Sequence, residues 1–316
     1  MSLFLGIDTS NYTTSVALYD EKTGEMLQNK KLSPVKEGSL GLRQSDAVFH
    51  HTQQLPELVA LLLDKADTSK ISAVGVSTRP RPIDGSYMPC FTVGMSVAKS
   101  ISSALKLPLF EFSHQEGHIS SALFSAKAEE LFSQNFLAFH ISGGTTEAVL
   151  VNGKDYGFSV EPVAKSLDLH AGQVVDRVGL MLGLKFPCGA ELEKLALKCS
   201  EKIKVKPTLK GFDCCLSGVE NQCENMLKKQ KSREYIALYC LKYIEQTLSE
   251  MTYRLLESHK NLPVIFAGGV MSNSIIKNSL TEKYNAIFAE PSFSTDNACG
   301  IAYLTYRKYK NVYTGI

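Results

Sequence analysis

Two histidines four residues apart are the side chains of this sequence with the clearest chemical potential. His114 and His118 directly follow the apolar run 107–112, and the segment after that run predicts a helix. On a helix, positions i and i+4 share one face, with Cβ atoms about 5–6 Å apart. Two neutral imidazoles so placed could bind one divalent metal from the same side. The pattern predicts a metal site. Two unrelated polar residues on a helix face are the alternative, because the chain holds seven histidines.

Two glycine-rich turns predict a nucleotide pocket. Ser142-Gly143-Gly144 lies between two strand-like runs, and Gly268-Gly269 stands between the apolar run 262–267 and a helix that begins near Ser274. Glycines allow the backbone to approach a ligand closely, and the N–H groups of such turns face anions. A strand, a glycine turn and a helix start together form a geometry that binds phosphates.

A third turn, 8–15, joins the first two predicted strands and is rich in hydroxyl and amide side chains. Its N–H and hydroxyl groups could bind a phosphate, and an ordinary polar hairpin turn is the alternative. This turn and the turn at 142–146 open the two halves of the chain in the same way. We therefore expect an internal duplication.

Alternating helices and strands must position these residues. The spacing of apolar residues predicts the following elements. Strands are expected near 3–9, 15–20, 25–31, 71–77, 107–112, 136–141, 147–151, 262–267 and 286–289. Helices are expected near 53–66, 91–105, 171–182, 191–198, 217–229, 233–258, from 274, and over 297–309. Ser294 or Thr295 is expected to cap the last helix, and Asp296 in its first turn would suit the helix dipole.

Composition narrows the class of protein. The 316 residues contain no apolar run long enough to span a membrane and no signal-peptide pattern at the start, so we expect a cytoplasmic protein. Eight cysteines without a C-x-x-C pair indicate free thiols in a reducing compartment. The net charge of +2 neither proposes nor excludes a nucleic acid. The lysine-rich segments 202–210 and 228–233 are candidate phosphate contacts, with a solvated edge as the alternative.

Several motifs, taken in order, resemble one known family along almost the whole chain. They are Gly6-Ile7-Asp8-Thr9-Ser10, 93–99, 107–118, Ser142-Gly143-Gly144, 183–187, Gly268-Gly269-Val270 with Asn273, and Thr295-Asp296-Asn297-Ala298. The sequence resembles a divergent member of the TsaD/Gcp/YgjD family, the transferase subunit of tRNA threonylcarbamoyladenosine synthesis, formerly called O-sialoglycoprotein endopeptidase.

The resemblance implies an α/β fold of the ASKHA type (actin-like ATPase, ribonuclease H-like), with two duplicated lobes and a cleft between them. The implied domains are an N-terminal lobe over 1–130 that carries the histidine pair and a C-terminal lobe over 131–295 that carries the nucleotide pocket. The segment 296–316 would form a helix that packs back on the N-terminal lobe.

The resemblance also implies the site residues. The family's metal ligands fall on His114, His118 and Asp296, which would be the catalytic residues. His140 stands where some members carry a metal-binding tyrosine, so we expect it as a fourth ligand. Such donors suit Fe or Zn. The pocket for an adenine nucleotide (AMP, ATP or threonylcarbamoyl-adenylate) would consist of Ser142, Gly143, Gly144, Asp176, Gly189, Glu193, Gly268, Gly269 and Asn273.

The implied reaction is metal-dependent transfer of a threonylcarbamoyl group from an adenylate to the exocyclic amine of an adenosine next to the tRNA anticodon. The implied partners are tRNA, a paralogous actin-like subunit, a small P-loop ATPase and a second copy of the chain, with no membrane.

The sequence departs from the family pattern at Asn11-Tyr12, Arg81–Gly85, Thr145, Gln173 and Glu220. Two other functions therefore stay open. One is a paralogous carbamoyltransferase with a small-molecule acceptor, and the other is a non-catalytic, nucleotide-binding ASKHA subunit.

Overall fold

Two five-stranded sheets form the framework of this computed structural model, which describes residues 2–10, 12–34, 42–154 and 156–315. The chain divides into two compact units. The first unit consists of Met1–Gln134, Asn152–Ser159 and Ser292–Ile316, and the second of Asn135–Val151 and Val160–Pro291. Asn11, one of the departures from the family pattern, lies outside the described residues.

The strands are β1 (Leu3–Thr9), β2 (Thr13–Asp20), β3 (Met26–Leu32), β4 (Ile71–Arg79), β5 (Leu109–Ser113), β6 (Asn135–Ile141), β7 (Thr146–Lys154), β8 (Gly157–Lys165), β9 (Thr208–Lys210), β10 (Asp213–Cys215), β11 (Val264–Ala267) and β12 (Ile287–Phe288). The helices are α1 (Gln44–Leu63), α2 (Phe91–Leu105), α3 (His114–Ser125), α4 (Ala171–Met181), α5 (Gly189–Ala196), α6 (Ser217–Lys228), α7 (Arg233–Ser258), α8 (Ser274–Tyr284) and α9 (Cys299–Thr314).

The first sheet has the order β3-β2-β1-β4-β5, with β1 antiparallel to β2 and parallel to β4. Successive side chains of a strand point to opposite faces. On one face, Leu5 and Ile7 join a buried cluster with residues of α1 and α2. On the other face, the ring of Phe4 meets Tyr306 of α9 at 5.3 Å between centroids. The central strand is therefore covered on both sides.

The second sheet has the order β12-β11-β6-β7-β8. In each sheet the first strand of its half is central, the next two strands lie on one side, and two later strands lie on the other. The shared order agrees with the expected duplication. The core of the second unit gathers buried residues of β6, β11 and α7, where the rings of Phe139 and Phe266 stack at 4.6 Å.

Two of the elements that differ from the sequence expectations are α1 and β8. Helix α1 begins at Gln44, nine residues before the predicted start, because the polar segment 44–52 still buries Ala47 and His51 on one side. Strand β8 was not predicted. It contains Pro162 and lies at the edge of its sheet, where a residue without an N–H group is tolerated. Across the described parts of the chain, every helix is too short or too polar to cross a bilayer.

Candidate functional site

A capping box places the predicted histidine pair. Strand β5 ends at Ser113, whose Oγ accepts a hydrogen bond from the N–H of Glu116 at 3.2 Å. In return, Oε2 of Glu116 accepts one from the N–H of Ser113 at 2.7 Å. This reciprocal pair satisfies two N–H groups that have no partner within the helix. It makes His114 the first residue of α3 and places His118 one turn later, as the spacing predicted.

The structure brings together three of the predicted ligands, all in the first unit. The Nε2 atoms of His114 and His118 lie 2.9 Å apart. Oδ1 of Asp296 lies 3.5 Å from the first of these atoms and 3.2 Å from the second. Ligand atoms around one tetrahedral or octahedral ion, at bonds of about 2.1 Å, are about 3.0–3.4 Å apart. The three atoms therefore already have the mutual spacing of a coordination shell.

The donor chemistry also fits a metal. Two imidazoles and one carboxylate form the set typical of non-haem Fe(II), and the same atoms suit Zn(II). Among the described residues, this is the group of three or more His, Cys, Asp or Glu side chains whose ligand atoms converge, all within 4.8 Å of one another. The set leaves coordination positions open, as a catalytic site requires.

A buried carboxylate orients the first ligand. Oδ1 of Asp8, at the end of β1, lies 2.9 Å from Nδ1 of His114, and Asp8 is fully buried. A carboxylate only accepts hydrogen bonds, so Nδ1 donates to it, which leaves Nε2 of His114 as the atom that a metal would bind. Sequence reasoning gave Asp8 no role. The available signal was its position at the carboxyl end of a central strand, beside a polar turn.

The electrostatics of the three groups favour a cation. Burial alone would lower the pKa of His114, but the charges of Asp8 and Asp296 outweigh burial and raise that pKa to about 10. Burial likewise opposes ionisation of Asp296, and its hydrogen bonds to His114 and His118 hold its pKa well below the usual value. At neutral pH the site therefore holds two carboxylates and, without a metal, a protonated His114, and a divalent ion would take the place of the proton on Nε2.

The loop before α9 carries the aspartate. The expectation that Ser294 or Thr295 caps this helix is wrong, because α9 begins only at Cys299. The N–H of Cys299 instead donates to Oδ1 of Asn297 at 2.9 Å. Asp296 accordingly lies in the preceding loop and not in the first helical turn.

His140 belongs to the second unit, near the end of β6, where it pairs in register with Ala267 of β11. Its expected place as a fourth ligand stays a prediction.

The two glycine-rich turns meet within the second unit. Strands β6 and β11 are parallel, so the turns after them leave the same edge of the sheet. Gly268 has φ of 106°, and a Cβ there would collide with the backbone carbonyl of Ile141. Only glycine permits this approach. By contrast, Cβ atoms added at Gly143, Gly144 or Gly269 would meet nothing within 4 Å, so these backbones are open to a ligand.

The remaining predicted pocket residues form two hydrogen-bonded pairs. Oδ1 of Asp176 accepts from the N–H of Cys188 at 2.9 Å, which fixes the loop just before Gly189. Oε1 of Glu193 accepts from the N–H of Ser274 at 2.7 Å, next to Asn273, which caps α8. Both carboxylates thus accept from backbone N–H groups, one just before α5 and the other at the start of α8. Their roles at a ribose or an adenine stay predictions.

Two of the departures from the family pattern also have structural partners. Oε1 of Gln173 accepts from the N–H of His170 at 3.0 Å in the first turn of α4. Glu220, where the family carries a lysine, accepts from Nη1 of Arg177 at 3.0 Å. The acidic residue therefore forms an ion pair with a neighbouring helix.

Comparisons with solved structures identify the fold. Component A of the (R)-2-hydroxyglutaryl-CoA dehydratase of Acidaminococcus fermentans has a TM-score of 0.56 at 15% identity, and the match covers 98% of this chain and 99% of that one. HypF of T. kodakarensis has a TM-score of 0.61 at 11% identity, over 97% of this chain and 47% of that one. A ROK family glucokinase of Streptomyces griseus has a TM-score of 0.54 at 12% identity, over 96% of this chain and 99% of that one. The expected α/β fold of the ASKHA type is confirmed.

Sequence comparisons identify the family. The model of the TsaD family, described as tRNA N6-adenosine threonylcarbamoyltransferase, matches residues 25–303. A protein of that name from Thermotoga neapolitana is 28% identical, with 97% of this chain and 94% of the relative covered. Another from Archaeoglobus fulgidus is 27% identical, over 97% and 91% of the two chains. The chain belongs to the TsaD family of transferase enzymes, as the ordered motifs led us to expect.

Proposed function

We propose that this protein is a metal-dependent transferase that moves a threonylcarbamoyl group from an adenylate to the exocyclic amine of an adenosine next to the tRNA anticodon. The observation that carries the proposal is the convergence of His114, His118 and Asp296 on one point in a chain of this family. A scaffold that only binds nucleotide would not need to keep these three side chains together.

Each part of the site has a role in this reaction. His114, His118 and Asp296 would hold Fe or Zn, and Asp8 would keep His114 in the tautomer that binds it. The bound ion would supply Lewis-acid polarisation of the carbamoyl carbonyl. The turns at Gly143, Gly144 and Gly269, whose backbones have open space where a Cβ would lie, would bind the phosphate of the adenylate.

The transfer needs no further reactant, because each bond that forms is matched by one that breaks. The amine nitrogen attacks the carbamoyl carbon, and the bond from that carbon to the phosphate oxygen breaks. The bonding electron pair leaves with AMP, and the amine proton passes to solvent. Asp176 and Glu193 are proposed to contact the ribose or adenine of the nucleotide. His140 is proposed as the fourth metal ligand.

The tRNA would bind through exposed lysines. Lys202, Lys204 and Lys206 are exposed, while Ile203 and Val205 between them are half-buried against the core of the second unit. The alternation therefore presents three like charges to solvent. A paralogous actin-like subunit, a small P-loop ATPase and a second copy of the chain are proposed as further partners.

One observation favours a second candidate function. Glu220 stands where the family pattern carries a lysine, and it forms an ion pair with Arg177. The position therefore lacks the positive charge of that lysine. A related carbamoyltransferase with a small-molecule acceptor would tolerate this loss more readily than an enzyme that binds tRNA.

Reconstitution tests the proposal. The metal-loaded protein would be incubated with threonine, bicarbonate, ATP, an adenylate-forming enzyme and unmodified tRNA. The tRNA would then be digested, and its nucleosides would be identified by mass spectrometry. We expect threonylcarbamoyladenosine from the natural protein and from His259→Ala, a histidine change at the end of α7 in the second unit. We expect none from His114→Ala. Absence of product from the natural protein, with tRNA shown competent and the proposed partner subunits supplied, would reject the proposal.

A further inference from the structure

Asp296, the proposed metal ligand, lies between Thr295 and Asn297, and each of these neighbours is hydrogen-bonded to another element of the first unit. Asn297 is hydrogen-bonded to Ser121 of α3, with Oγ of Ser121 3.1 Å from Oδ1 of Asn297. Thr295 is hydrogen-bonded to Lys30 of β3, with Nζ 2.8 Å from Oγ1. Within the described part of the chain, the side chain of Asp296 is hydrogen-bonded or ion-paired only with the two histidines.

The buried hydrogen bond between Ser121 and Asn297 is the stronger contact, because every donor and acceptor of the Asn297 amide has a partner. Besides Ser121, Oδ1 accepts from the N–H of Cys299 at 2.9 Å. Nδ2 donates to the carbonyl of Thr295 at 2.6 Å and to that of Phe293 at 3.1 Å. An amide offers two donors and one oxygen with two lone pairs. All four positions are taken, so the orientation of this side chain and of its backbone is fixed.

The helix that carries the histidines also anchors the aspartate loop. Ser121 follows His118 by three residues on α3, so the two side chains are neighbours on the helix surface. Oγ of Ser121 also lies 3.2 Å from the carbonyl of Phe293, at the start of the same loop. The position of the loop is therefore set directly against the element that presents the two imidazoles.

We propose that Ser121 and Asn297 are positioning residues that hold Asp296 in register with His114 and His118, so that the three ligands are arranged before the metal binds. This inference rests on the proposed metal site. Ligands that need no reorganisation bind a metal more tightly, because the ordering of the loop is already complete in the metal-free protein.

The tie to Lys30 is expected to matter less. Lys30 is exposed, so water competes for its ammonium group. Its contact with Thr295 restrains the outer side of the loop. A Lys30→Met change should therefore have a smaller effect on metal affinity than loss of the buried hydroxyl.

Three substitutions separate positioning of the ligand from stability of α9. Ser121→Ala removes the tie to α3 and leaves the bond from Cys299 to Asn297. Asn297→Asp keeps the accepting oxygen and removes the two donations to the loop carbonyls. Ser120→Ala is the matched control, since Ser120 is equally buried on the same helix and its hydroxyl has no partner among the described residues.

The experiment titrates the metal-free protein with Co(II) and follows its visible d–d spectrum, with thermal melting of each metal-free variant as the measure of folding. Loss of groups that orient metal ligands typically weakens metal affinity about 10–100-fold. We expect about tenfold weaker Co(II) binding for Ser121→Ala and Asn297→Asp, and unchanged binding for Ser120→Ala, with all of them still folded.

Two outcomes would overturn the inference. If Ser121→Ala binds Co(II) as tightly as Ser120→Ala does, the tie has no role in positioning. If both serine variants lose affinity equally, the effect belongs to packing of α3. Failure of the proposed metal site has a different signature, because the natural protein would then show no Co(II) spectrum that His118→Ala abolishes. That result would remove the metal site together with this inference. Failure of the proposed function alone would leave that spectrum in place and the reconstitution without product.

Discussion

Nδ1 of His114 lies 2.9 Å from Oδ1 of Asp8, and this contact joins the first strand of the chain to the first residue of α3. Asp8 is fully buried, and its second carboxylate oxygen has no hydrogen-bond partner among the described residues. Burial raises the pKa of Asp8, but the neighbouring His114, with a smaller contribution from Ser77, outweighs burial and lowers it below the usual value. An ionised carboxylate is thus held inside the first unit mainly by its contact with His114.

Replacement of this carboxylate should weaken metal binding without removing a ligand. In Asp8→Asn the amide can present either an oxygen or an N–H to His114, so the tautomer of the imidazole is no longer fixed. We expect Co(II) affinity to fall about 10–100-fold, measured by titration of the metal-free protein. Asp20→Asn at the end of β2 is the control, since the carboxylate of Asp20 accepts a hydrogen bond from the N–H of Lys22 in an exposed turn. Equal affinities of the two variants would contradict an orienting role.

Gly6 allows α9 to pack directly on the central strand. A Cβ at this position would lie 2.7 Å from the carbonyl oxygen of Ala298 and would collide with the backbone N–H of Ala302. Backbone atoms cannot move aside as a flexible side chain can. We expect Gly6→Ala to lower the free energy of unfolding by about 3 kcal/mol, measured by urea denaturation.

The matched change is Gly218→Ala in α6. A Cβ there would meet only Nε2 of Gln222 at 3.8 Å, and alanine favours a helix. The free energy of unfolding of this variant should be unchanged or slightly higher. Comparable destabilisation by both substitutions would show that close packing at Gly6 is not the cause.

Glu245 on α7 should make stability depend on pH. Its Oε1 lies 2.9 Å from Nζ of Lys283 and accepts from Ser279 at 2.6 Å. Burial raises the pKa of Glu245, but these partners outweigh burial and lower it below the usual 4.5. A depressed carboxyl pKa in the folded state stabilises the protein above the unfolded-state value. That contribution is lost as the pH falls through the folded-state pKa.

Glu245→Gln should therefore lower the free energy of unfolding by about 2 kcal/mol at pH 7, and the deficit should shrink as the pH is lowered below 4.5. Urea denaturation at a series of pH values measures both effects. Glu250→Gln is the control, since its partly exposed pair with Arg254 should contribute about 0.3–0.5 kcal/mol. A deficit that stays constant with pH would rule out the ionised carboxylate as its source.

Salt should weaken tRNA binding through the exposed lysines of the second unit. Each phosphate contact adds about 0.7–0.9 to the slope of log affinity against log salt concentration. The triple change of Lys202, Lys204 and Lys206 to glutamine should reduce the slope by about 2. The same change at Lys22, Lys65 and Lys70, exposed lysines of the first unit, serves as the control. An identical reduction in both variants would indicate a general charge effect and no defined binding face.

Local features of the site were predictable, and contacts between distant residues were not. The spacing of His114 and His118 on a helix is a local property, and it is confirmed. Asp296 was expected only through the family resemblance, because no periodicity relates it to the histidines. Asp8 was missed for the same reason, since two helices and four further strands separate β1 from α3, which carries its partner.

Errors at element boundaries have similar causes. Thr295 was expected to cap α9, but its hydroxyl is hydrogen-bonded to Lys30, a residue far away in sequence. The predicted start of α1 is too late because residues 44–52 lack the spacing of apolar residues that indicates a helix. His51 in this segment is nevertheless buried, with Nδ1 2.7 Å from Oγ1 of Thr14 in β2. In both cases a tertiary contact outweighed the local pattern.

The separation of Asp296 from His118 in the sequence has a consequence for biosynthesis. These residues are 178 positions apart, so a growing chain that emerges from the ribosome presents two imidazoles long before their carboxylate partner exists. Loading of the proposed ion would then follow synthesis of residue 296. Nascent chains that stop before residue 296 would keep the histidine helix and never complete the centre.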